Sequence, residues 1–292
     1  MTQNPVFRRE KLPPGLYFVS TPIGSARDIT LRALDVLASA DMIASEDTRT
    51  TRRLMELHGV PVDGRPMWPY HDHNGAAQRP RLMAALEAGQ SVAYASDAGT
   101  PLVADPGYRL AREAAEAGHR VHCAPGPSAA LAALTLAGLP SDRFLFAGFV
   151  PTAKGARRRF LDGLKTVQAT IILFESPKRI AASLADMAAA FGAERQAALC
   201  RELTKKFEEV RRGSFAELLP GVAEGVKGEI VLVVEGYAPG VETAEDLDAQ
   251  ILAALEHSSV KDAVNELAQH TTVPKRALYQ RALELREGKN TS

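Results

Sequence analysis

The chain has 292 residues, 46% hydrophobic and 24% charged, and its 35 basic side chains balance 35 acidic ones. Such a length accommodates two moderate domains with cores of useful size, and such a composition excludes wholesale disorder. A formal net charge of 0 excludes whole-surface attraction to nucleic acid, so any polyanion site must come from local clustering.

Residues 1–14 read as a flexible leader without the apolar core of a signal peptide, and no apolar run approaches membrane-spanning length. A cytoplasmic location without membrane contact is expected. Cys123 and Cys200 each lie in an apolar run that reads as a strand, with no partner at metal-ligand spacing. They are expected as buried thiols in a reducing compartment.

From Leu16 onward short apolar strands alternate with helical runs. "LYFVS" (16–20) leads into "TPIG", "MIAS" (42–45) into "EDTRT", "SVAYAS" (91–96) into "DAGTPLVADPG", and "RVHCA" (120–124) into "PGPSAALAALTLAG". This rhythm predicts an N-terminal α/β domain over 15–127 around a largely parallel sheet. A texture richer in Phe, Ile and Val follows, with "RFLFAGFV", "ATIILFE", "QAALCREL" and "EIVLVVEG" as strands. It predicts a second α/β domain over 128–238 with a mixed sheet. Residues 239–246 form a linker by composition, and 247–292 a C-terminal helical domain. In that tail Val260, Ala263, Val264 and Leu267 recur at helical spacing, with Ser259 and Asp262 placed to begin the helix. Thr272 can cap a last helix, where Pro274 is tolerated in the first turn.

The segment "AGTPLVADPG" offers a fixed path with little side-chain bulk, which lets peptide groups approach a ligand closely. It matches neither GxxxxGK[ST] nor GxGxxG, so ATPase and nicotinamide-dehydrogenase readings lose their usual support. Alone it is equally an ordinary turn. Beside it, however, "TPIG" (21–24), "EDTRT" (46–50), "PGPSA" (125–129), "ESPKR" (175–179) and "RELTKKFEE" (201–209) all sit at strand ends. Six unusual segments at equivalent positions point to a ligand cleft lined by backbone groups between two α/β domains.

These segments, with "FAGFVP" and "KGEIVLVVEG", resemble the tetrapyrrole-methylase-like class of S-adenosylmethionine-dependent methyltransferases. Within that class the chain is similar to the bacterial 16S rRNA ribose 2′-O-methyltransferases over about residues 15–238, and more weakly over the tail. "TPIGS" departs from the pattern only at Ser25, where Asn is common. The resemblance implies a tetrapyrrole methylase-like fold, two α/β domains with the cofactor cleft between them. It further implies methylation of the cytidine equivalent to position 1402 in 16S rRNA, within the small ribosomal subunit, by a homodimer.

Carried onto this chain, the pattern assigns S-adenosyl-L-methionine contacts to Pro22, Gly99, Thr100 and Pro101, and to Ser128 and Ala129 at the domain crossover. Phe174, Glu175, Leu203, Thr204, Gly228 and Glu229 match its later strand ends. On burial statistics Phe174 and Leu203, taken singly, read as core residues ahead of cofactor wall.

Asp47 and Asp97, with Glu46 nearby, lie at strand ends facing one cleft. Both aspartates are candidate proton acceptors for a ribose hydroxyl, and equally candidate helix caps or partners of Arg49 and Arg52. No metal is implied, because scattered carboxylates without histidine support do not outline a ligand set. His71 and His73 dress a loop or touch RNA. Candidate RNA contacts are Arg49, the run Lys154, Arg157, Arg158 and Arg159, and the pairs Lys178–Arg179 and Lys205–Lys206. The competing readings are a small-molecule tetrapyrrole methyltransferase and a non-enzymatic RNA-binding module.

Overall fold

In a computed structural model the residues described are 6–71, 73–103, 107–223, 225–238, 244–268, 271 and 273–289. The start of the leader, most of the linker and the proposed cap Thr272 lie outside them. Two compact units result: residues up to 165 together with 169–235, and 166–168 together with 236–292.

The first unit begins with β1 (Gly15–Val19), buried along its whole length. It continues through α1 (Leu31–Ser39), β2 (Met42–Ser45), α2 (Thr48–Leu57), β3 (Met67–Pro69) and α3 (Gly75–Glu87). Next come β4 (Ser91–Ala95), α4 (Tyr108–Glu116) and β5 (Val121–Ala124). The five strands form one parallel sheet in the order β3-β2-β4-β1-β5. Strand side chains alternate in direction, which divides the apolar residues between two faces. Tyr17, Val19, Ile43 and Ala93 pack with Leu34, Leu37 and Met55, whereas Leu16, Phe18, Val92 and Tyr94 pack with Leu82, Leu86 and Leu110. Both faces are covered by helices, as a parallel sheet requires.

Strand β5 is an edge, and this corrects one expectation. Cys123 is exposed because its strand has a neighbour on one side only, while Cys200 is fully buried. Burial pushes the Cys200 thiol up to about 11.

The second sheet follows α5 (Ala129–Ala137) and comprises β6 (Phe144–Phe149), β7 (Thr170–Glu175), β8 (Gln196–Arg201), β9 (Glu209–Ser214) and β10 (Ile230–Val234). Their order is β6-β7-β10-β8-β9, with β6 and β7 parallel and the remaining pairs antiparallel, the mixed sheet expected. The small residues Ala130, Ala133 and Ala137 let α5 pack closely on Ile172, Ala198, Cys200 and Val233. Helices α6 (Lys154–Asp162), α7 (Ile180–Phe191) and α8 (Phe215–Leu218) complete this region.

The second unit contains α9 (Ala244–Leu255), α10 (Val260–Leu267) and α11 (Lys275–Lys289), which close over Ile251, Val264, Leu278 and Ala282. Ser259 caps α10, its Oγ accepting the Asp262 N–H at 3.2 Å. No helix among the described residues is long and apolar enough to cross a membrane.

A buried charged contact in the first unit joins α6 to α7. Arg157 on α6 is buried and donates to Asp186 on α7 through Nε at 2.8 Å and Nη2 at 2.6 Å. Burial pushes the Asp186 carboxyl up, but hydrogen bonds from Arg157 and Arg158 outweigh it and hold the group below the ordinary carboxylate value. Asp186→Ala strands a buried guanidinium and should remove about 3–5 kcal/mol of stability at neutral pH. A carboxyl held low when folded stabilises above its unfolded pKa and ceases to as pH falls through its folded value. The difference in urea midpoint between wild type and variant should therefore shrink below about pH 4. A pH-independent difference would remove the ion pair as its cause.

Candidate functional site

The strand ends of the first sheet are tied together by main-chain bonds. Thr21 and Gly99 exchange two of them, each N···O distance being 3.0 Å. Thr21 Oγ1 also donates to the Ser96 carbonyl at 2.9 Å, and Ser96 Oγ to the Gly99 carbonyl at 2.5 Å. Gly99 has φ +79°, in the left-handed region, and a Cβ there would lie 3.3 Å from Ile23 Cγ2. Thr100 Oγ1 reaches the Pro127 carbonyl at 3.0 Å. Three loops after β1, β4 and β5 thus form one rigid shelf of peptide groups.

The loop after β8 docks on that shelf. Thr204 Oγ1 accepts the Ser25 N–H at 3.0 Å, and a Cβ on Gly24 would lie 2.6 Å from the same oxygen. Glu202 and Thr204 hold left-handed backbone, φ +52° and +62°, the kind of local strain that gathers at functional sites. Glu202 secures the segment before β10: its N–H donates to the Glu229 carbonyl and its Oε1 accepts the Glu229 N–H, both at 3.0 Å. Lys205 Nζ bridges Glu202 and Glu229 at 2.9 Å each. Gly228, at φ +94°, leaves room for Glu202 that no Cβ would.

Between these loops and the second sheet opens a cavity of about 370 Å³. Gly99, Thr100, Ser128 and Ala129 line it from one side, and Phe174, Glu175, Leu203 and Glu229 from the other. Pro22, Pro101, Thr204 and Gly228 do not line it; they shape the loops that do. The Glu175 carboxylate is already engaged, accepting from Ser176 N at 2.6 Å, from Arg179 Nε at 2.9 Å and from Ser183 Oγ. Lining residues that sequence reasoning missed include Ile23, Val103, Phe149, Pro177 and Val231. "TPIG" and "FAGFVP" were the available signals for Ile23 and Phe149.

The two aspartates come together outside this lining. Asp97 Oδ1 accepts the Asp47 N–H at 2.8 Å, and Asp47 caps α2 by accepting the Arg49 N–H at 2.9 Å. Hydrogen bonds from the Arg49 side chain and then its backbone lower the Asp47 carboxyl to about 2. It is ionised at working pH and a weak proton acceptor.

The basic residues divide sharply. Arg157 is buried against Asp186, which corrects its expected place on an RNA-facing rim. Arg179 pairs with Glu175, and Lys205 with Glu202 and Glu229. Arg158 is exposed but touches Asp186 at 3.1 Å, while Arg49, exposed, pairs with Asp47. Lys154, Arg159, Lys178 and Lys206 are exposed. His71 and His73 lie with ring centroids 6.0 Å apart, and no group of three His, Cys, Asp or Glu among the described residues is placed to hold a metal.

Comparison with known proteins gives two family matches: "Tetrapyrrole (Corrin/Porphyrin) Methylases" over residues 15–219, and the "RsmI C-terminal HTH domain" over 241–286. The chain is 51% identical to the ribosomal RNA small subunit methyltransferase I of Mesorhizobium japonicum, covering 94% of each chain. It is 44% identical to the Escherichia coli O157:H7 protein of the same name, over 92% of this chain and 94% of that one. In fold it is similar to the uroporphyrin-III-C-methyltransferase of Thermus thermophilus, with TM-score 0.55 and 24% identity over 76% of this chain and 94% of that one.

Gly99→Val tests the shelf. A branched residue in left-handed backbone costs about 1–2 kcal/mol, and its methyl groups would press on Ile23 in the cavity wall. Calorimetry should show donor affinity reduced at least tenfold in a variant that remains folded by circular dichroism; unchanged affinity would take Gly99 out of the site.

Proposed function

The chain belongs to the ribosomal RNA small subunit methyltransferase I family, and we propose on that footing that it transfers a methyl group from S-adenosylmethionine to 16S ribosomal RNA. The acceptor in this reading is the ribose 2′-hydroxyl of the cytidine equivalent to position 1402.

The observation that carries the reading is the chemistry of the cavity wall. Among the described residues lining it, the ionisable side chains are Glu175 and Glu229, and both are engaged in ion pairs. A wall whose carboxylates are already paired suits a reaction whose donor arrives already activated. When bound, the donor supplies a methyl group on positive sulfur, open to attack from the side opposite that sulfur. The cavity volume falls in the roughly 300–1,000 Å³ range of small-molecule sites. Gly99, where a Cβ would crowd Ile23, provides a backbone surface for close approach.

Each part of the wall has a separate task. Peptide groups at Gly99, Thr100, Ser128 and Ala129 supply fixed dipoles. The N-terminal end of α5 borders the cavity, and its positive dipole suits the donor's carboxylate, not its sulfonium. Ile23, Phe174, Leu203 and Val231 supply apolar surface that excludes water. Rate enhancement then rests mainly on alignment of oxygen, methyl carbon and sulfur. Asp47 and Asp97 hold the start of α2 at the edge of this arrangement, and they act on geometry more than on the proton.

We assign the phosphate contacts to the exposed cations Lys154, Arg158, Arg159, Lys178 and Lys206. The enzyme acts in the cytoplasm, where ribosomal subunits are, as a homodimer. Exposed Leu131 on α5 and Phe144 and Leu145 at the start of β6 offer apolar surface for pairing.

The functional test is transfer of labelled methyl to unmodified 30S subunits, followed by mapping of the labelled nucleotide. Label on the 2′-oxygen of the expected cytidine is predicted; label on a base, or none, would refute the assignment. Arg158→Gln with Arg159→Gln should leave donor affinity unchanged while weakening 30S binding and flattening its salt dependence by one to two charges. An unaltered salt slope would move the phosphate contacts elsewhere.

A further inference from the structure

We propose that Phe149 is a stacking platform for the nucleobase of the RNA residue being methylated, set at the rim of the donor cavity. The proposal deepens the ribosomal reading above and rests on it.

The argument begins with backbone register. Strand β6 pairs in parallel with β7, Phe146 opposite Ile172, then Gly148 opposite Leu173 and Phe149 opposite Phe174. The register shift between Phe146 and Gly148 leaves one extra residue, Ala147, on β6. In an uninterrupted strand Phe146 and Phe149 would project from opposite faces, three residues being an odd step. The bulge returns Phe149 to the face of Phe146, and Gly148 at φ +77° makes it possible. Both rings then meet Phe174 edge-on, at 4.9 Å and 5.3 Å between centroids.

The outcome for the two rings differs. Phe146 is partly buried in the core beneath α5, whereas Phe149 lines the cavity and remains 57% exposed. A strand distortion that carries a large apolar side chain into a cavity and leaves it wet gains little from burial. Its ring is held in place by Phe174 while one side stays open. Beyond it the chain passes directly into the exposed cations Lys154, Arg158 and Arg159 of α6. An aromatic plate followed by phosphate-binding side chains is the usual composition of a single-strand nucleic acid surface.

The reaction supplies the need. Drawing a ribose hydroxyl into a cavity pulls its nucleotide from the RNA surface, and a ring at the rim replaces the stacking that its base then loses. Phe149 offers a planar partner on the cavity rim. Phe174, further into the wall and less exposed, is left to face the donor.

The test uses full-length Phe149→Leu, which keeps an apolar side chain at an exposed position, and Phe149→Tyr, which keeps the plate. Methyl transfer to unmodified 30S subunits and calorimetric affinity for S-adenosylmethionine are measured on each. Phe149→Leu should raise KM for the subunits roughly ten- to hundredfold, the scale of one base–aromatic stack, with donor affinity within about twofold. Phe149→Tyr should restore KM. Donor affinity falling in step with methylation would assign the ring to the donor's adenine and overturn the proposal. Unchanged KM and kcat in Phe149→Leu would overturn it as well. Were the unaltered protein itself to leave the subunits unmethylated, the ribosomal reading would fall and the platform with it, so the two failures are distinguishable.

Discussion

The paired main-chain bonds between Thr21 and Gly99 are the constraint on which the site depends. They join the loop after β1 to the loop after β4, and Ser96 and Thr21 side chains add bonds from within the same two loops. Each bond is worth on the order of 1 kcal/mol, yet together they fix peptide orientation where no regular ladder continues. Ile23 is carried into the cavity wall as a consequence, and Ser25 is brought to Thr204. The second sheet is thereby keyed to the first through backbone, with a strained turn at Glu202 and Thr204 as the keyed part.

The wall made this way is polar in its peptide groups and apolar in its side chains. Its carboxylates are consumed internally: Glu175 by Arg179 and two serine donors, Glu229 by Lys205. Neutralised side chains leave the fixed dipoles of the peptide groups as the main electrostatic feature of the wall. Preorganised dipoles of this kind need no rearrangement when charge shifts from sulfur to product.

Much of this was legible in the sequence, for stated reasons. Strands buried on both faces read as continuous apolar runs, and Gly and Pro at their ends mark loops with little side-chain bulk, so "TPIG", "AGTP" and "PGPSA" identified the shelf. Long-range partners were not legible. Arg157 looked equivalent to Arg158 and Arg159 until Asp186, 29 residues away, took it into the interior. Asp47 and Asp97 read equally as proton acceptors and as helix caps; Asp47 does cap α2, but that Asp97 accepts its N–H from 50 residues away was not visible. Cys123 looked buried because its strand is apolar, and sheet order made that strand an edge. Phe149 was hidden because alternation places it on the wrong face, and only the bulge restores it.

Hydrogen–deuterium exchange on the intact protein, with and without saturating S-adenosylmethionine, tests the central claim most directly. A donor held by peptide groups from loops of both sheets should slow exchange together at residues 21–25, 98–100, 128–131, 174–176 and 229–231, while α9 to α11 change little. Protection confined to the loops of one sheet, or centred away from the Thr21–Gly99 pair, would contradict the account.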